Sequence, residues 1–275
     1  MLRLGGYVLH RNNRETLEAA LRSLQAVCEE VVALDSGSHD GSVALANSLG
    51  ARSVTHAWAG YGAARAAAVA ALSPCDFVFF LDSDEHLEPA AVEVIRAWKA
   101  ASPGAEAYRL PRNDWAELGG RRFRFRTEWR VRLVRRERAR WEARMVVHER
   151  LPSMSAPRLH ASIEHAFASC IDRRAQKEQR YALLWALQAH AGGKRGKPAF
   201  LQRPAHLLRD GLVHGAFLRG GLDGARLAWA VSANHAAKYR MLASLRAGAY
   251  PALRRLYAAG RYGELFQALR EGRLE

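Results

Sequence analysis

The stretch Phe77-Val78-Phe79-Phe80-Leu81-Asp82-Ser83-Asp84-Glu85-His86 decides the fold class of this 275-residue chain. Five apolar residues, three of them aromatic, lead directly into three carboxylates within four positions. The apolar run is typical of a strand buried on both faces, and its abrupt end predicts a sheet edge that opens onto a loop. Carboxylates this close together repel one another, and their oxygen atoms are ligands that suit Mg²⁺ or Mn²⁺. The alternative is a solvated acidic turn in which Glu85 and Glu88 support the N-terminus of the next helix.

Charge is distributed unevenly along the chain. The formal net charge is +15, but residues 1–110 carry 9 Lys/Arg against 13 Asp/Glu, whereas residues 111–275 carry 33 against 14. This asymmetry indicates two functional parts, the second facing an anionic partner such as membrane lipid, a phosphorylated glycan or nucleic acid. A genome that prefers Arg to Lys is the alternative explanation. The three scattered cysteines predict reduced thiols in a cytosolic protein, and the sequence predicts neither a secretory signal nor a membrane span.

Strand and helix patterns alternate through the first hundred residues. Strands are predicted at 4–9, 30–34, 53–55 and 76–81, and helices at 16–24, 43–49, 62–72 and 89–99. The alternation argues for a parallel sheet covered by helices. Polar clusters at 10–14, 35–42 and 82–86 each follow a strand. Because ligands of such sheets sit outside the carboxyl ends of the strands, these clusters are expected to converge on one site.

In the second part of the chain the sequence pattern is first typical of strands and then of helices. A strand is predicted at 107–110, the period-two pattern of 121–136 predicts antiparallel strands that 141–147 continues, and 163–166 is a further strand-like segment. From residue 172 onward the pattern is helical. Helices are predicted at 181–191, 200–218, 222–245 and within 258–275, with a break at 219–221. These basic amphipathic helices either lie on a membrane surface or pack on the first part and present a solvated basic face.

With these clusters in order, the chain resembles the family 2 inverting glycosyltransferases of the GT-A fold, and more narrowly the lipopolysaccharide-core β-1,4-glucosyltransferase branch. The motifs that carry the resemblance are VALDSGSHDGS at 32–42, HAWAGYGAAR at 56–65, LDSDE at 81–85, VHE at 147–149 and FLRGGLDG at 217–224. The resemblance implies an α/β GT-A fold, with a mixed, mostly parallel Rossmann-like sheet flanked by helices and a C-terminal helical extension. The predicted division is a glycosyltransferase domain at 1–168 and a basic amphipathic helical region at 169–275. Within the first domain, a nucleotide-binding half is predicted at about 1–110 and an acceptor half at about 111–168.

The resemblance also implies roles for individual residues. Asp35 accepts hydrogen bonds from the nucleotide base or ribose, with Asn12 and Ser83 as further contacts of the nucleotide sugar. Arg65 reaches the diphosphate. Asp82 and Asp84 form the DxD pair, with Asp84 the metal ligand and Asp82 nearer the ribose. His148 completes the shell of the Mn²⁺ or Mg²⁺ ion. These nucleotide-sugar and metal residues are Asn12, Asp35, Arg65, Asp82, Ser83, Asp84 and His148.

An inverting transfer needs a base that takes the proton of the acceptor hydroxyl as the nucleotide diphosphate leaves. The position that matches the family's catalytic carboxylate is Glu128, and Glu149 is the second candidate. The alternative for Glu128 is an ion pair with one of its many Arg neighbours. The sequence departs from the family after the first strand, where Arg11-Asn12-Asn13 replaces a Lys-Asn-Glu run and a carboxylate is lost.

The resulting expectation is a metal-dependent transferase that moves a hexose from a UDP-hexose, with UDP-glucose the usual donor of the branch, onto a lipid-linked or phosphorylated glycan. It is expected in the cytoplasm, peripheral to the inner face of the inner membrane, without a nucleic-acid partner. The alternatives are a basic protein that binds nucleic acid or membrane without catalysis, and a sugar-nucleotide nucleotidyltransferase. The nucleotidyltransferase alternative usually needs a Gly-rich phosphate loop near residues 8–20, a stretch that contains no glycine.

Overall fold

A computed structural model describes residues 2–101, 103–147, 149 and 151–273, except the side chains of 176–180. The strands are β1 (Leu4–His10), β2 (Glu30–Asp35), β3 (Arg52–Thr55), β4 (Phe77–Asp82), β5 (Glu85–Leu87), β6 (Ala107–Leu118), β7 (Arg121–Arg135) and β8 (Ile163–Ala168). The helices are α1 (Arg14–Gln25), α2 (Ser42–Ser48), α3 (Tyr61–Ala71), α4 (Pro89–Ala100), α5 (Ile171–Ala191), α6 (Ala199–Leu208), α7 (Ala216–Arg246), α8 (Pro251–Ala258) and α9 (Tyr262–Arg270). A 3₁₀ turn follows β7 at Arg136–Arg138, and a π-helical turn, Arg209–Val213, follows α6.

Strand β4 lies inside the sheet and is covered on both faces. Phe77, Phe79 and Leu81 enter the hydrophobic cluster that contains buried residues of α1 and α4. Val78 and Phe80 point the other way, into the cluster that contains Ala64 and Ala68 of α3 together with Tyr7 of β1. The alternation follows from the two-residue period of a strand. It explains why this strand is apolar at every position from Phe77 to Leu81, because both of its faces are core.

The ends of the first parallel strands meet, as the sequence predicts. The strand order is β3-β2-β1-β4-β7-β6-β8-β5, and β1 pairs in parallel with both β2 and β4. The register sets His10 opposite Asp35 and Leu9 opposite Asp82. The loops that follow β1, β2 and β4 therefore open at the same edge of the sheet, and the predicted convergence of the polar clusters is confirmed.

The remaining strands extend the sheet with mixed polarity. β6 and β7 form a long antiparallel hairpin, β7 pairs with β4, and β8 lies between β6 and the short β5. The predicted strand at 141–147 is wrong, since this segment forms turns beside the start of α3. There the N–H of Gly62 donates to the Met145 carbonyl at 3.0 Å, and a Cβ on Gly62 would lie 2.1 Å from the Glu142 carbonyl oxygen. The segment is thus held by a close backbone approach that only glycine permits.

The C-terminal helices pack on the sheet domain at two places. Val146 and Val147 join a cluster with residues of α5, α7, α8 and α9, and Phe123 and Phe125 of the hairpin join another with α7. The predicted break at 219–221 coincides with Gly221, whose φ of +54° interrupts α7. The predicted fold class, a mixed sheet flanked by helices with a helical extension, is confirmed. In the part of the chain that the structure describes, no helix is long and apolar enough to cross a membrane.

Candidate active site at the ends of the parallel strands

Asp35 ends β2 and shapes the loop that follows it. Its carboxylate accepts hydrogen bonds from the backbone N–H groups of Gly37 and Ser38, both at 3.0 Å. Burial alone would raise the pKa of Asp35, but the hydrogen bonds from Ser38 and Gly37 outweigh it and hold the pKa below its usual value. Asp35 is therefore an ionised, buried acceptor at the end of its strand, as the predicted nucleotide contact requires.

Asn12 joins the loops after β1 and β2. Its backbone N–H donates to Ser38 Oγ at 2.9 Å, and its side-chain Oδ1 accepts the N–H of His39 at 2.8 Å. The residue has a φ of +53°, a left-handed conformation that asparagine tolerates better than most side chains. Its carbonyl oxygen is thus engaged in loop structure, and contact with a nucleotide stays a prediction.

Asp40, in the loop after β2, accepts hydrogen bonds from the starts of α1 and α2. It accepts the N–H of Arg14 and the N–H of Ser42, each at 3.0 Å, at the first turns of α1 and α2. Hydrogen bonds from Ser42 and Arg14 lower the pKa of Asp40 to about 2. Carboxylates favour such positions because the first N–H groups of a helix have no partner within it.

Arg65 lies deep inside the site instead of on a solvated helix face. Its side chain is 3% exposed, its Nη2 donates to Asp82 at 2.7 Å, and its Nε donates to Glu149 at 2.5 Å. The guanidinium carbon lies 4.9 Å from the ring centre of Phe80 and 5.4 Å from that of Trp141. The sequence predicts that Arg65 reaches the diphosphate. The structure brings it to Asp82 and Glu149.

The first carboxylate of the DxD pair is held by arginines. Asp82 Oδ2 accepts a hydrogen bond from Arg132 Nη2 at 3.1 Å, opposite the contact from Arg65. Burial raises the pKa of Asp82, but the charges of Arg132 and Arg65 outweigh it and keep the pKa well below its usual range. Asp82 is consequently a carboxylate whose charge is already balanced.

The acidic stretch turns sharply after Asp82. Ser83 is buried in the turn, and Glu85, only 1% exposed, begins β5 and accepts the N–H of Asp82 at 3.0 Å. Glu85 also receives hydrogen bonds from Arg132 and, at 3.4 Å, from Arg112. The alternative of a solvated acidic turn is therefore wrong for Glu85. Among the described side chains, arginines therefore pair with both Asp82 and Glu85.

Asp84 faces a histidine that the sequence analysis did not single out. Oδ2 of Asp84 lies 3.6 Å from Nε2 of His165, whose Nδ1 is 2.7 Å from Oδ1 of the fully buried Asp114. Burial lowers the pKa of His165, but the charge of Asp84 and the hydrogen bond to Asp114 outweigh it and raise the pKa to about 9. The sequence feature that could have indicated this site is the polar pair Glu164-His165, which stands in a segment otherwise typical of a buried strand.

Glu128, the predicted base, lies on β7 directly opposite Arg112. Its Oε2 is 2.6 Å from Arg130 Nη2, 3.2 Å from Arg112 Nη2 and 3.8 Å from Arg126 Nε. Burial raises the pKa of Glu128, but the charges of Arg126 and Arg130 outweigh it and lower the pKa to about 2. In this arrangement Glu128 is a weak proton acceptor.

The other candidate base and the predicted metal histidine are adjacent in sequence. Glu149 is 12% exposed and its described partner is the Nε of Arg65. His148 lies outside the described residues. Among those residues, no group of three or more His, Cys, Asp or Glu side chains is arranged to hold a metal ion. The ionisable side chains that the structure does bring together at β4, β6, β7 and β8 are Asp82, Asp84, Glu85, Arg112, Asp114, Arg126, Glu128, Arg132 and His165.

The family model described as glycosyl transferase family 2 matches residues 8–149, which is just over half of the chain and includes the ends of β1, β2 and β4. The chain belongs to this family. A family 2 glycosyltransferase is a transferase enzyme, which excludes the alternatives of a basic protein without catalysis and of a nucleotidyltransferase.

Several relatives of this family 2 glycosyltransferase are similar in sequence. The lipopolysaccharide core biosynthesis glycosyltransferase LpsC of Rhizobium meliloti (strain 1021) is 29% identical over 235 residues, covering 81% of this chain and 85% of LpsC. An uncharacterized glycosyltransferase of Rickettsia bellii (strain RML369-C) is 31% identical over 85 residues, covering 31% of this chain and 29% of the relative.

Solved structures match a smaller part of the chain. Glucosyl-3-phosphoglycerate synthase from Mycobacterium tuberculosis, in complex with Mn²⁺, UDP and glucosyl-3-phosphoglycerate, is 26% identical with a TM-score of 0.35. The match covers 40% of this chain and 44% of the synthase, so this chain spans less than half of that structure.

Proposed function

We propose that this family 2 glycosyltransferase moves a hexose from a UDP-hexose, with UDP-glucose the first donor to test, onto a lipopolysaccharide-core or related cell-envelope glycan. The transfer inverts the configuration of the anomeric carbon. The observation that carries the proposal is the facing pair of Asp84 and His165 beyond the end of β4, the edge at which β2 also ends with Asp35. A nucleotide diphosphate bound across these strand ends would bring its phosphates to that pair.

Asp84 and His165 fit a divalent cation. The two side chains face each other, and Asp114 fixes the far nitrogen of the imidazole, an arrangement that metal-binding histidines usually have. Two protein ligands suffice for Mg²⁺ or Mn²⁺ when phosphate oxygens and water complete the shell. Such an ion would offset the negative charge that grows on the leaving diphosphate. His148, which the family resemblance implies, is the alternative second ligand.

The nucleotide-sugar side of the site is proposed around Asp35, Asn12, Ser83 and Asp82. Asp35 is ionised and lies at a strand end, where it can accept hydrogen bonds from a base or ribose. Asn12 holds the neighbouring loop in place and offers its amide to the same ligand. Ser83 lies in the turn between the two aspartates, and Asp82 is proposed nearer the ribose than the metal because two arginines already balance its charge.

Arg65 is proposed to act on the donor through Asp82. Its two hydrogen bonds tie the end of β4 to Glu149, so it sets the position of the DxD turn. A diphosphate that arrives beside Asp82 would share the guanidinium with that carboxylate, which is how the predicted phosphate contact would be made.

The base is proposed to be Glu128, with Glu149 as the second candidate. Three arginines hold the pKa of Glu128 low, so it becomes an effective base only when substrate anions draw those arginines away. A phosphorylated acceptor would do this, because its phosphate competes with Glu128 for Arg112, Arg126 and Arg130. Glu149 accepts a hydrogen bond from one arginine among the described residues, Arg65, and would have to be released from that arginine alone.

The similarity to LpsC and the charge distribution support a proposal for the acceptor and the location. LpsC is named for lipopolysaccharide core biosynthesis, and the second part of this chain carries 33 Lys/Arg against 14 Asp/Glu. We therefore propose a lipid-linked or phosphorylated glycan as acceptor, and an enzyme peripheral to the cytoplasmic face of the inner membrane with its basic helices toward the lipid.

The direct test is a transfer assay with UDP-glucose, UDP-galactose and GDP-mannose and an isolated lipid A-core acceptor, with the product linkage read by NMR. A β-linked hexose formed from an α-linked UDP-hexose, and not formed without divalent metal, supports the proposal. An α-linked product would overturn the inversion. Transfer that is unchanged in EDTA would overturn the metal dependence.

A further inference from the structure

The exposed apolar side chains of this protein are concentrated in one segment. Within the described residues, every large hydrophobic side chain that is at least half exposed lies between residues 200 and 229. These eight residues, called the apolar surface below, are Phe200, Leu201, Leu208, Leu212, Val213, Leu218, Leu222 and Trp229. Leu218 is 90% and Val213 80% exposed. Single exposed leucines are ordinary, but this concentration marks a surface that contacts something apolar.

The apolar surface belongs to one packed unit. Arg203 of α6 stacks on the Trp229 ring of α7 at 3.4 Å, which joins the two helices. In the π-helical turn, a Cβ on Gly211 would lie 2.2 Å from the Phe217 ring, so the turn lies directly on the first turn of α7. The exposed residues are therefore fixed by the fold and do not belong to a loose loop.

Basic residues outnumber acidic ones along the segment that carries the apolar surface. Seven basic residues and two acidic ones lie between positions 194 and 226. Both acidic residues are paired with arginine. Asp210 is buried 2.8 Å from Arg209, and Asp223 lies 3.7 Å from Arg226. Among the side chains that the structure describes, the basic residues of this segment without a carboxylate partner are Lys194, Arg195, Lys197, Arg203 and Arg219.

Exposed apolar side chains together with an excess of basic residues favour an anionic bilayer as the partner. An anionic bilayer offers apolar chains to the leucines and headgroup phosphates to the cations, which is how basic amphipathic segments bind at a membrane interface. A second copy of this chain fits poorly, because it would bring the same seven basic residues face to face.

The segment is also connected to the candidate active site. Asp210, within the π-helical turn and between Leu208 and Leu212, lies 3.6 Å from Arg126. Arg126 in turn contacts Asp114 at 2.7 Å and Glu128 at 3.8 Å. Two ion pairs, Asp210 with Arg126 and Arg126 with Glu128, thus connect the π-helical turn to Glu128 in the predicted acceptor half.

We propose that the apolar surface inserts into the headgroup region of an anionic bilayer and orients the acceptor side of the site toward it. This docking assigns residues to the membrane contact proposed above, and its use in presenting a lipid-linked acceptor rests on the proposed transferase function.

The test measures co-sedimentation of the full chain with vesicles of phosphatidylcholine, alone or mixed with phosphatidylglycerol. Binding is expected only to the anionic vesicles. The variant Leu212→Ser/Val213→Ser/Leu218→Ser/Leu222→Ser is expected to lower the partition coefficient at least about tenfold, since it removes the inserting side chains. All four side chains are exposed, so the variant is expected to keep its fold, which circular dichroism checks.

A matched pair of charge variants separates local from general electrostatics. Arg203→Gln/Arg219→Gln is expected to weaken binding by about fivefold for each cation removed. Arg255→Gln/Arg270→Gln removes the same charge from exposed positions on α8 and α9 and is expected to bind as the unchanged protein does. Brominated lipid is expected to quench the tryptophan fluorescence of the unchanged protein more than that of a Trp229→Phe variant, because Trp229 belongs to the apolar surface.

Three results would overturn the proposal: no binding to anionic vesicles, equal loss in the two charge variants, or full binding by the serine variant. Self-association that the serine variant abolishes, without vesicle binding, would assign the apolar surface to a dimer instead. UDP binding, measured on the same variants, distinguishes failure of docking from failure of the proposed function, because none of the substituted residues lies in the candidate site.

Discussion

Nε2 of His165 lies 3.6 Å from Oδ2 of Asp84, and Asp114 holds the opposite nitrogen of the same ring at 2.7 Å. The three side chains come from the turn after β4, from β8 and from β6. The raised pKa of His165, about 9, keeps the ring protonated near neutral pH, with one N–H group facing Asp84 and the other facing Asp114. A divalent cation bound to Nε2 would displace the proton on that nitrogen.

The first prediction concerns metal affinity. In the presence of UDP, His165→Gln is expected to lower the affinity for Mn²⁺ by at least about tenfold, since losses of this size follow even the removal of an outer-shell partner. Titration followed by electron paramagnetic resonance measures free Mn²⁺ directly. His160→Gln changes an exposed histidine and serves as control. If His148→Gln lowers the affinity and His165→Gln leaves it unchanged, the implied histidine is the ligand and His165 is not.

The second prediction concerns the buried arginine of the site. Arg65→Ala leaves Asp82 and Glu149 without their shared cation, and breaking a buried pair in this way costs about 3–5 kcal/mol of unfolding free energy. Urea denaturation measures the loss. Arg22→Ala removes an exposed arginine paired with Glu18 and is expected to cost no more than about 0.5 kcal/mol. Equal losses in the two variants would contradict the structural role of Arg65.

The third prediction concerns the base. Glu128→Gln is expected to lower kcat about 10²- to 10⁴-fold while UDP-hexose affinity changes little, because the lost step is proton transfer from the acceptor. Steady-state kinetics together with donor titration separate the two effects. A Glu128→Gln protein with full turnover removes Glu128 as the base, and Glu149→Gln then becomes the decisive variant.

The fourth prediction concerns acid stability. The rings of His206 and His235 stack at 3.4 Å. Burial and the charge of Arg209 lower the pKa of His206 to about 4. Burial and the neighbouring His206 lower the pKa of His235 to about 2. Between pH 6.5, the ordinary histidine pKa, and about 4 the unfolded chain binds more protons, so the unfolding free energy falls as the pH is lowered through this window.

The variant His235→Phe tests that assignment. It keeps a stacked ring but removes one titrating group, so its unfolding free energy is expected to fall less than that of the unchanged protein from pH 6.5 to 4. Thermal unfolding across that range compares the two. Identical pH dependence would show that the acid sensitivity originates elsewhere.

The sequence predicts the parallel half of the fold because its signals are local. Phe77 to Leu81 form one strand whose period is visible, and Asp35 and Asp82 converge because the ends of neighbouring parallel strands meet. Two of the five family 2 motifs, at 32–42 and 81–85, fall on these same strand ends. That part of the candidate site follows from pattern alone.

The rest depends on pairings between distant segments. His165 and Asp114 are 51 residues apart and meet only because β8 pairs in parallel with β6. The three-residue β5 is too short for a periodic signal, and it buries Glu85. Arg65 occupies an Ala-rich helix whose buried face no local pattern distinguishes.

Metal-dependent binding of a sugar nucleotide at Asp84 is tested by one calorimetric experiment. UDP, GDP, CDP and ADP are each added with and without Mn²⁺, and the stability of the protein is measured. UDP with Mn²⁺ is expected to add roughly 2–4 kcal/mol at concentrations well above Kd, and Asp84→Ala is expected to abolish the gain. A metal-dependent nucleotide site at Asp84 is contradicted if no nucleotide changes stability in the presence of metal, or if the Asp84→Ala protein keeps the full gain.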